Sequence, residues 1–384
     1  MSKNGEIEEN SEEVDEEEQE EDFQSLKDFD EDIENLKQIT DIYSCTGNEH
    51  AVRHYIRQQI EPLVDEIKTD SIGNIIGIVK GKEGHKTIML DAHMDEIGFL
   101  VSHIDKNGFL RVVSVGGQNV RILPGSRVIV HSYTGTNLEG VFGEKAIHLL
   151  SKKERAQGVD LEKLFIDLGF KNEEEVKKHV RLGDYVTLHA ELKRYHGTDR
   201  VAGKAIDDRA GCFMIIETLK RLKELPTPIG PTIVACFSVQ EEIGVRGATV
   251  AAYTHNPDLA LVLEVTHAID FPGSSKDKEG ETVLGKGPEI TLGPNLHPTL
   301  SKQLIDLAHE NEIPIQLGTH PRLTGTNARI IQVTREGIPV ALISIPLRYM
   351  HTTVETIDMN DLEYTIRLIL AFLQTDLSKS YILN

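Results

Sequence analysis

A chain of 384 residues, 39% of them hydrophobic, has room for one large domain or two ordinary ones with ample core. The formal net charge of -21 is unevenly placed: residues 1–32 hold 16 Asp or Glu against two Lys, which leaves about -7 for the rest. No Lys/Arg block stands out, so a nucleic-acid footprint is excluded, and no apolar run approaches the roughly 20 residues of a membrane helix.

The first 24 or so residues hold almost no large apolar side chains and repel one another, so residues 1–29 read as a disordered acidic tail. The tail lacks the basic start and apolar stretch of a signal peptide, and it is too acidic for a mitochondrial presequence. Residues 30–43 predict an amphipathic helix with Ile33, Leu36, Ile39 and Ile42 on one face. Gly47-Asn48-Glu49 opens a second helix running to about Leu63. Glu66 to Val79 alternates, and Ser71-Ile72-Gly73-Asn74 reads as a turn between two strands. Thr87 to Asp91 is a short continuous apolar run, as in a strand buried on both faces of a mixed or parallel sheet.

From about residue 98 to 193 the texture changes. Short β-rich runs (Phe99–Ile104, Phe109–Val115, Arg127–Val130, Tyr185–Leu188) are punctuated by Gly and Pro. A helical stretch around Leu161–Phe170 and Glu173–His179 interrupts them, and the whole reads as a small β-barrel or sandwich. From 203 onward helices and buried strands alternate again: helix 209–224, strands 232–239 and 259–265, helix 299–311, strand 341–345 and helix 360–377. The expected fold is therefore α/β, a mixed sheet flanked by helices over residues 30–97 and 194–384, with a β domain inserted at 98–193. Cys45, Cys212 and Cys236 show no paired spacing and read as buried thiols of a reducing compartment, the cytoplasm.

The adjacent carboxylates Glu241-Glu242, after the apolar run Thr232 to Val239, carry the strongest chemical signal. They repel each other unless a cation holds them. Two metal ions would do so, with one carboxylate ligating and the other moving protons; a solvated acidic turn is the plain alternative. His93, Asp95, Asp207, Asp208, Glu264 and His351 also lie at or near the ends of apolar runs, where active-site groups of open α/β sheets gather. In His93-x-Asp95 the carboxylate can accept a hydrogen bond from the imidazole N–H that faces away from a metal; otherwise the pair is a core histidine and a turn cap. Asp207-Asp208-Arg209 stands just before a helix, so an Asp there can cap it or bridge two ions. Of 16 histidines only His93 and His351 are assigned to metal. The signals of serine hydrolases, thermolysin-like proteases and P-loop NTPases are absent from the sequence.

In this order these motifs resemble the family of glutamyl, deblocking and tetrahedral (TET) aminopeptidases, some members of which were named cellulase M. The match runs from about residue 40 to 375 and includes Gly116-Gly117 and Ala146-Ile147-His148. The resemblance implies a co-catalytic pair of divalent ions, zinc or cobalt. Asp207 would bridge them, His93 and Glu264 would complete one site, and Glu242 and His351 the other. Glu241 would be the general acid/base and Asp95 the partner orienting His93. A cis Asp207–Asp208 peptide, dimerisation through the insert and closure of six dimers into a hollow dodecamer are implied as well. Two departures stand out. Glu264 replaces the Asp of many relatives, and the family's Gly-Gly-Gly-Thr-Asp-Ala loop, near the substrate pocket in relatives, is Leu323-Thr324-Gly325-Thr326-Asn327-Ala328 here.

The expected activity is a metal-dependent aminopeptidase that removes N-terminal residues from peptides. A water between two divalent ions has its pKa brought toward neutrality; Glu241 would take its proton and return it to the leaving amine. A related dinuclear-metal amidohydrolase, a deacylase or carboxypeptidase, shares this logic and is the alternative. An endoglucanase usually brings aromatic platforms for sugar rings, whereas this chain has no Trp and 5% aromatics. Peptides are the expected partners, together with further copies of the chain, and neither nucleic acid nor membrane.

Overall fold

Four uninterrupted apolar runs lie side by side and parallel in the computed structural model, which describes residues 28–155, 157–377 and 381–382. In spatial order they are Thr232–Ser238, Thr87–His93, Leu259–His267 and Val340–Leu347, the centre of an eight-stranded mixed sheet. Helices cover both faces of these strands, which is why their apolar residues run on instead of alternating. The hairpin Glu66–Thr69 and Ile75–Val79 extends one edge antiparallel. Its turn forms because the Asp70 carboxylate accepts the N–H groups of Ile72, Gly73 and Asn74, with Gly73 at φ +107. Glu289–Leu292, antiparallel to Val340–Leu347, and Gln316–Thr319 complete the other edge.

One face of the sheet carries the helices Asp30–Thr40, His50–Ile60, Ile206–Glu224, Pro298–Glu310 and Met359–Leu373, whose apolar sides form the larger core around Leu36, Ile56, Phe213, Ile343 and Phe372. Arg246–His255 and Ala328–Ile331 cover the other face through Ala248, Ala251, Ala252 and Ile331. The acidic tail expected over 1–29 gives way earlier than that. Phe29 is 1% exposed in the larger core, and residues 1–27 lie outside the described residues. Cys45, Cys212 and Cys236 are buried free thiols. Among the described residues, no helix is long and apolar enough to cross a membrane.

Between the first and second central strands in sequence the chain builds a closed barrel. Its strands follow the order Gly98–Ile104, Leu110–Val115, Phe165–Asp167, Asn137–Gly143, Arg127–His131 and Tyr185–Leu188. Phe99, Val130, Phe142, Ile166 and Val186 fill it, with the Phe99 and Phe142 rings edge to face at 5.2 Å. The helix expected over Leu161–Phe170 is instead a short 3₁₀ turn, Leu161–Lys163, followed by a barrel strand. Ile166 packs inside the barrel and pairs with Leu110 and Phe142, so tertiary pairing overrides local propensity. The barrel ends at Leu188 rather than 193. Leu192 already belongs to the larger core, and Lys193–Arg194 pairs with Arg200–Gly203 in a three-stranded sheet completed by Glu355–Asp358.

Candidate active site

Parallel strands deliver their carboxyl ends to one side of a sheet, and here that side collects charged residues. Asp207 stands between two imidazoles: its Oδ1 lies 3.1 Å from His93 Nε2 and its Oδ2 3.4 Å from His351 Nε2. Glu242 Oε1 is 3.3 Å from His351 Nε2, and Glu264 Oε1 is 3.8 Å from His93 Nε2. The structure thus brings together His93, Asp207, Glu242, Glu264 and His351, with Glu241 lining the same cleft. His93, Asp207 and Glu242 offer ligand atoms within 4.8 Å of one another, as do His93, Asp208 and Glu264. We read Asp208 as a cap, because both its oxygens are taken: Oδ2 accepts the His93 N–H and Oδ1 the Gly211 N–H, each at 3.1 Å. The Asp207–Asp208 peptide is cis.

Asp95 has a wider task than orienting His93. Its carboxylate accepts the N–H groups of Glu241 (3.1 Å) and Glu242 (3.3 Å) and the Thr46 hydroxyl (2.8 Å). His93 Nδ1 lies closer to the Asp95 backbone oxygen, 3.2 Å, than to its carboxylate, 3.5 Å. One buried residue therefore holds the imidazole, chiefly through its backbone oxygen, and the glutamate pair, through its carboxylate. Gln240 (φ +57) and His351 (φ +60) hold left-handed conformations that cost a non-glycine residue roughly 1–3 kcal/mol, a strain typical of over-determined sites. The barrel reaches in as well: a Cβ on Gly117 would stand 3.3 Å from His351 Nδ1.

Sequence reasoning missed Glu355. This residue, 3% exposed, accepts the Asp207 N–H at 3.1 Å and the His351 N–H at 2.8 Å, so it holds two candidate ligands from behind. The available signal was a glutamate four residues after His351. Lys204 and Arg209 make a second buried cluster with Glu96, at 3.0 and 3.4 Å. Arg209 also donates to the carbonyls of Ile39 and Met94, which ties the first helix to the turn after His93.

The electrostatics are those of a site with surplus negative charge. Burial raises Glu241 to about 7, helped by Glu242 and Asp207, although His93 pulls it down. Burial likewise raises Glu242 and Glu264, and it lifts Glu355 to about 8 with the help of the Asp207 charge. Burial pushes both imidazoles the other way, yet they end up raised. Hydrogen bonds to Asp207 and Asp95 hold His93 well above its ordinary value, and Asp207 and Glu242 lift His351 to about 11. Asp207 is lowered, because its bonds to His351 and His93 outweigh its burial. Crowded carboxylates that hold protons, beside imidazoles that hold them too, are a site whose charge a divalent cation would balance.

A cleft of about 600 Å³ opens over these residues and is walled by Thr324, Gly325 and Thr326 of the divergent loop. Asn327 anchors that loop: its amide donates to Asp91 Oδ2 at 2.7 Å and to the Ser238 hydroxyl at 2.9 Å. Burial already lifts Asp91 to about 6. Asn327→Asp would set a second carboxylate against it, and we expect a loss of about 1–3 kcal/mol near neutral pH. Where two buried carboxylates share a proton, the one that holds it has its folded-state pKa raised above the unfolded value. Stability is then present at acid pH and lost as pH rises, so the variant's Tm deficit should widen from acid to alkaline conditions. A deficit that narrows as pH rises would show that Asp91 does not face residue 327 as a carboxylate.

Imidazole and carboxylate donors gathered at the strand ends of a mixed α/β sheet are an arrangement suited to a metal-dependent hydrolase. The chain belongs to the M42 glutamyl aminopeptidase family, whose model matches residues 73–368. It is 38% identical over 337 residues to a putative aminopeptidase of Acetivibrio thermocellus, covering 87% of this chain and 96% of that one. It is 36% identical over 351 residues to the lysyl aminopeptidase of Pyrococcus furiosus, covering 89% and 97%. Among solved structures it is similar to a TET peptidase of Pyrococcus horikoshii that can assemble into a tetrahedron or a large octahedral shell. There the TM-score is 0.77 at 33% identity, with 89% of this chain and 98% of that chain covered.

Proposed function

We propose that this chain is a dinuclear metal-dependent aminopeptidase, with Asp207 shared between two divalent ions. His93 and Glu264 would complete one site, Glu242 and His351 the other. The observation that carries this reading is the position of Asp207, one oxygen toward each imidazole. The donor set fits the ions: nitrogen and oxygen only, as suits zinc or cobalt, in a cluster whose carboxylates crowd one another. Ions held there supply Lewis acidity, lowering the pKa of water and polarising a carbonyl.

Everything else falls to the protein's own side chains. Glu241 takes a proton from the attacking water and gives it to the leaving amine, and its raised pKa suits both steps. Asp95, through the N–H groups of Glu241 and Glu242, keeps the two neighbouring carboxylates in different roles. Glu355 holds the backbones of Asp207 and His351 so that both side chains face the cleft. The inserted domain leaves Val113, Val141, Ile147, Leu149 and Leu182 exposed, apolar side chains that an isologous dimer, repeated in larger shells, would cover.

Related deacylases and carboxypeptidases share the metal logic, so the test compares substrate ends. Aminoacyl p-nitroanilides with a free amine should be cleaved, and their N-acetylated counterparts and peptides offering only a C-terminal residue should not. Faster turnover of the N-acylated series would assign the chain to the deacylases instead.

A further inference from the structure

The cleft continues along the sheet to a carboxylate that the reaction does not use. Glu264, Ser344 and Glu289 lie in one register row across three adjacent strands, and all three line the cleft. Two strand spacings separate Glu264 from Glu289, about 10 Å between Cα atoms. Glu289 is 7% exposed. It accepts hydrogen bonds from the hydroxyls of Thr291, at 2.8 Å, and Thr282, and forms no ion pair among the described residues. Gly318 makes room for it, since a Cβ there would stand 1.9 Å from Glu289 Oε1. Apart from the candidate ligands His93 and His351 at the strand ends, the cationic or titratable bases lining the cleft, His267, Lys278 and His320, are exposed or half-buried. A buried carboxylate held by hydroxyls, with no counter-charge paired to it, is a natural receptor for a ligand cation.

We propose that Glu289 determines specificity by receiving the side-chain cation of a peptide whose N-terminal residue is Lys or Arg. This rests on the aminopeptidase reading and adds the substrate class. The scissile bond must lie against Glu241 and the strand-end ligands, so the first side chain runs from there along the row toward Glu289. A Lys or Arg stem spans that distance and a short polar side chain does not. An acidic first residue would meet Glu289 with like charge. Family membership does not decide the matter, because the family model is described as glutamyl and one relative is a lysyl enzyme.

Full-length wild type and Glu289→Gln, assayed on Lys, Arg, norleucine, Leu and Glu p-nitroanilides, test this directly. Norleucine keeps the lysine stem without the ammonium. Wild type should favour Lys over norleucine at least about tenfold in kcat/KM, and Glu289→Gln should bring that ratio near one. The wild-type ratio stands even if the variant does not fold. A wild type that prefers Glu or norleucine overturns the proposal. So does a variant that slows Lys and norleucine equally, which would mark a carboxylate that is structural or that holds the α-amine. Failure of the wild type on every free-amine substrate would sink the aminopeptidase reading itself and this proposal with it.

Discussion

Glu241→Gln is expected to lower kcat by about 10² to 10⁴ while metal content stays at the wild-type level. The variant keeps the size and polarity of the side chain and removes only its basicity. The N–H that positions it is still held by Asp95, so the turn should not move. Glu241 is buried in the cleft and raised to about 7, which makes it able to accept a proton and to release one near neutrality. Glu242 contrasts with it: its carboxylate faces His351 at 3.3 Å, on the ligand side of the turn. Glu242→Gln should therefore weaken one metal site, and excess metal should restore part of its activity. Elemental analysis beside kinetics on both variants separates the roles. If Glu241→Gln loses metal and Glu242→Gln keeps it, the two are exchanged.

Chelation is expected to abolish turnover, and the return of metal should depend steeply on pH. Without a cation, His93 and His351 are both held protonated by Asp207 and its neighbours. Burial raises Glu242 and Glu264, so these carboxylates also hold protons to higher pH than free glutamates do. Each incoming ion must displace protons from nitrogen and oxygen donors, so uptake is opposed at acid pH and favoured as pH rises. Calorimetric titration of the chelated protein in buffers of different ionisation enthalpy should show proton release, with affinity higher at about pH 8 than at about pH 6. Uptake indifferent to pH, with no proton release, would mean that the imidazoles are not ligands.

The central sheet was legible because burial on both faces leaves an unbroken mark, as in Leu259–His267 and Val340–Leu347. The cluster at its strand ends was legible for a related reason: a carboxylate or imidazole that closes an apolar run has few places to go. His93 and Asp207, 114 residues apart, meet because both sit at that one side of the sheet. Other residues acted through contacts that leave no local pattern. Glu355 lies in a four-residue strand buried throughout, and it matters only for the two backbone N–H groups it accepts. Glu289 looks like any strand glutamate until the register sets it in line with Glu264. The helix Arg246–His255 was missed because Gly244 and Gly247 mask its start and small alanines make its buried face. Phe165–Asp167 reads as helical until the barrel closes around Ile166.

The most direct measurement is the metal content of the purified, active chain. Four donors arranged around a shared Asp207 predict about two divalent ions per chain, lost together with activity on chelation and regained with it. A fully active preparation free of metal would contradict the account.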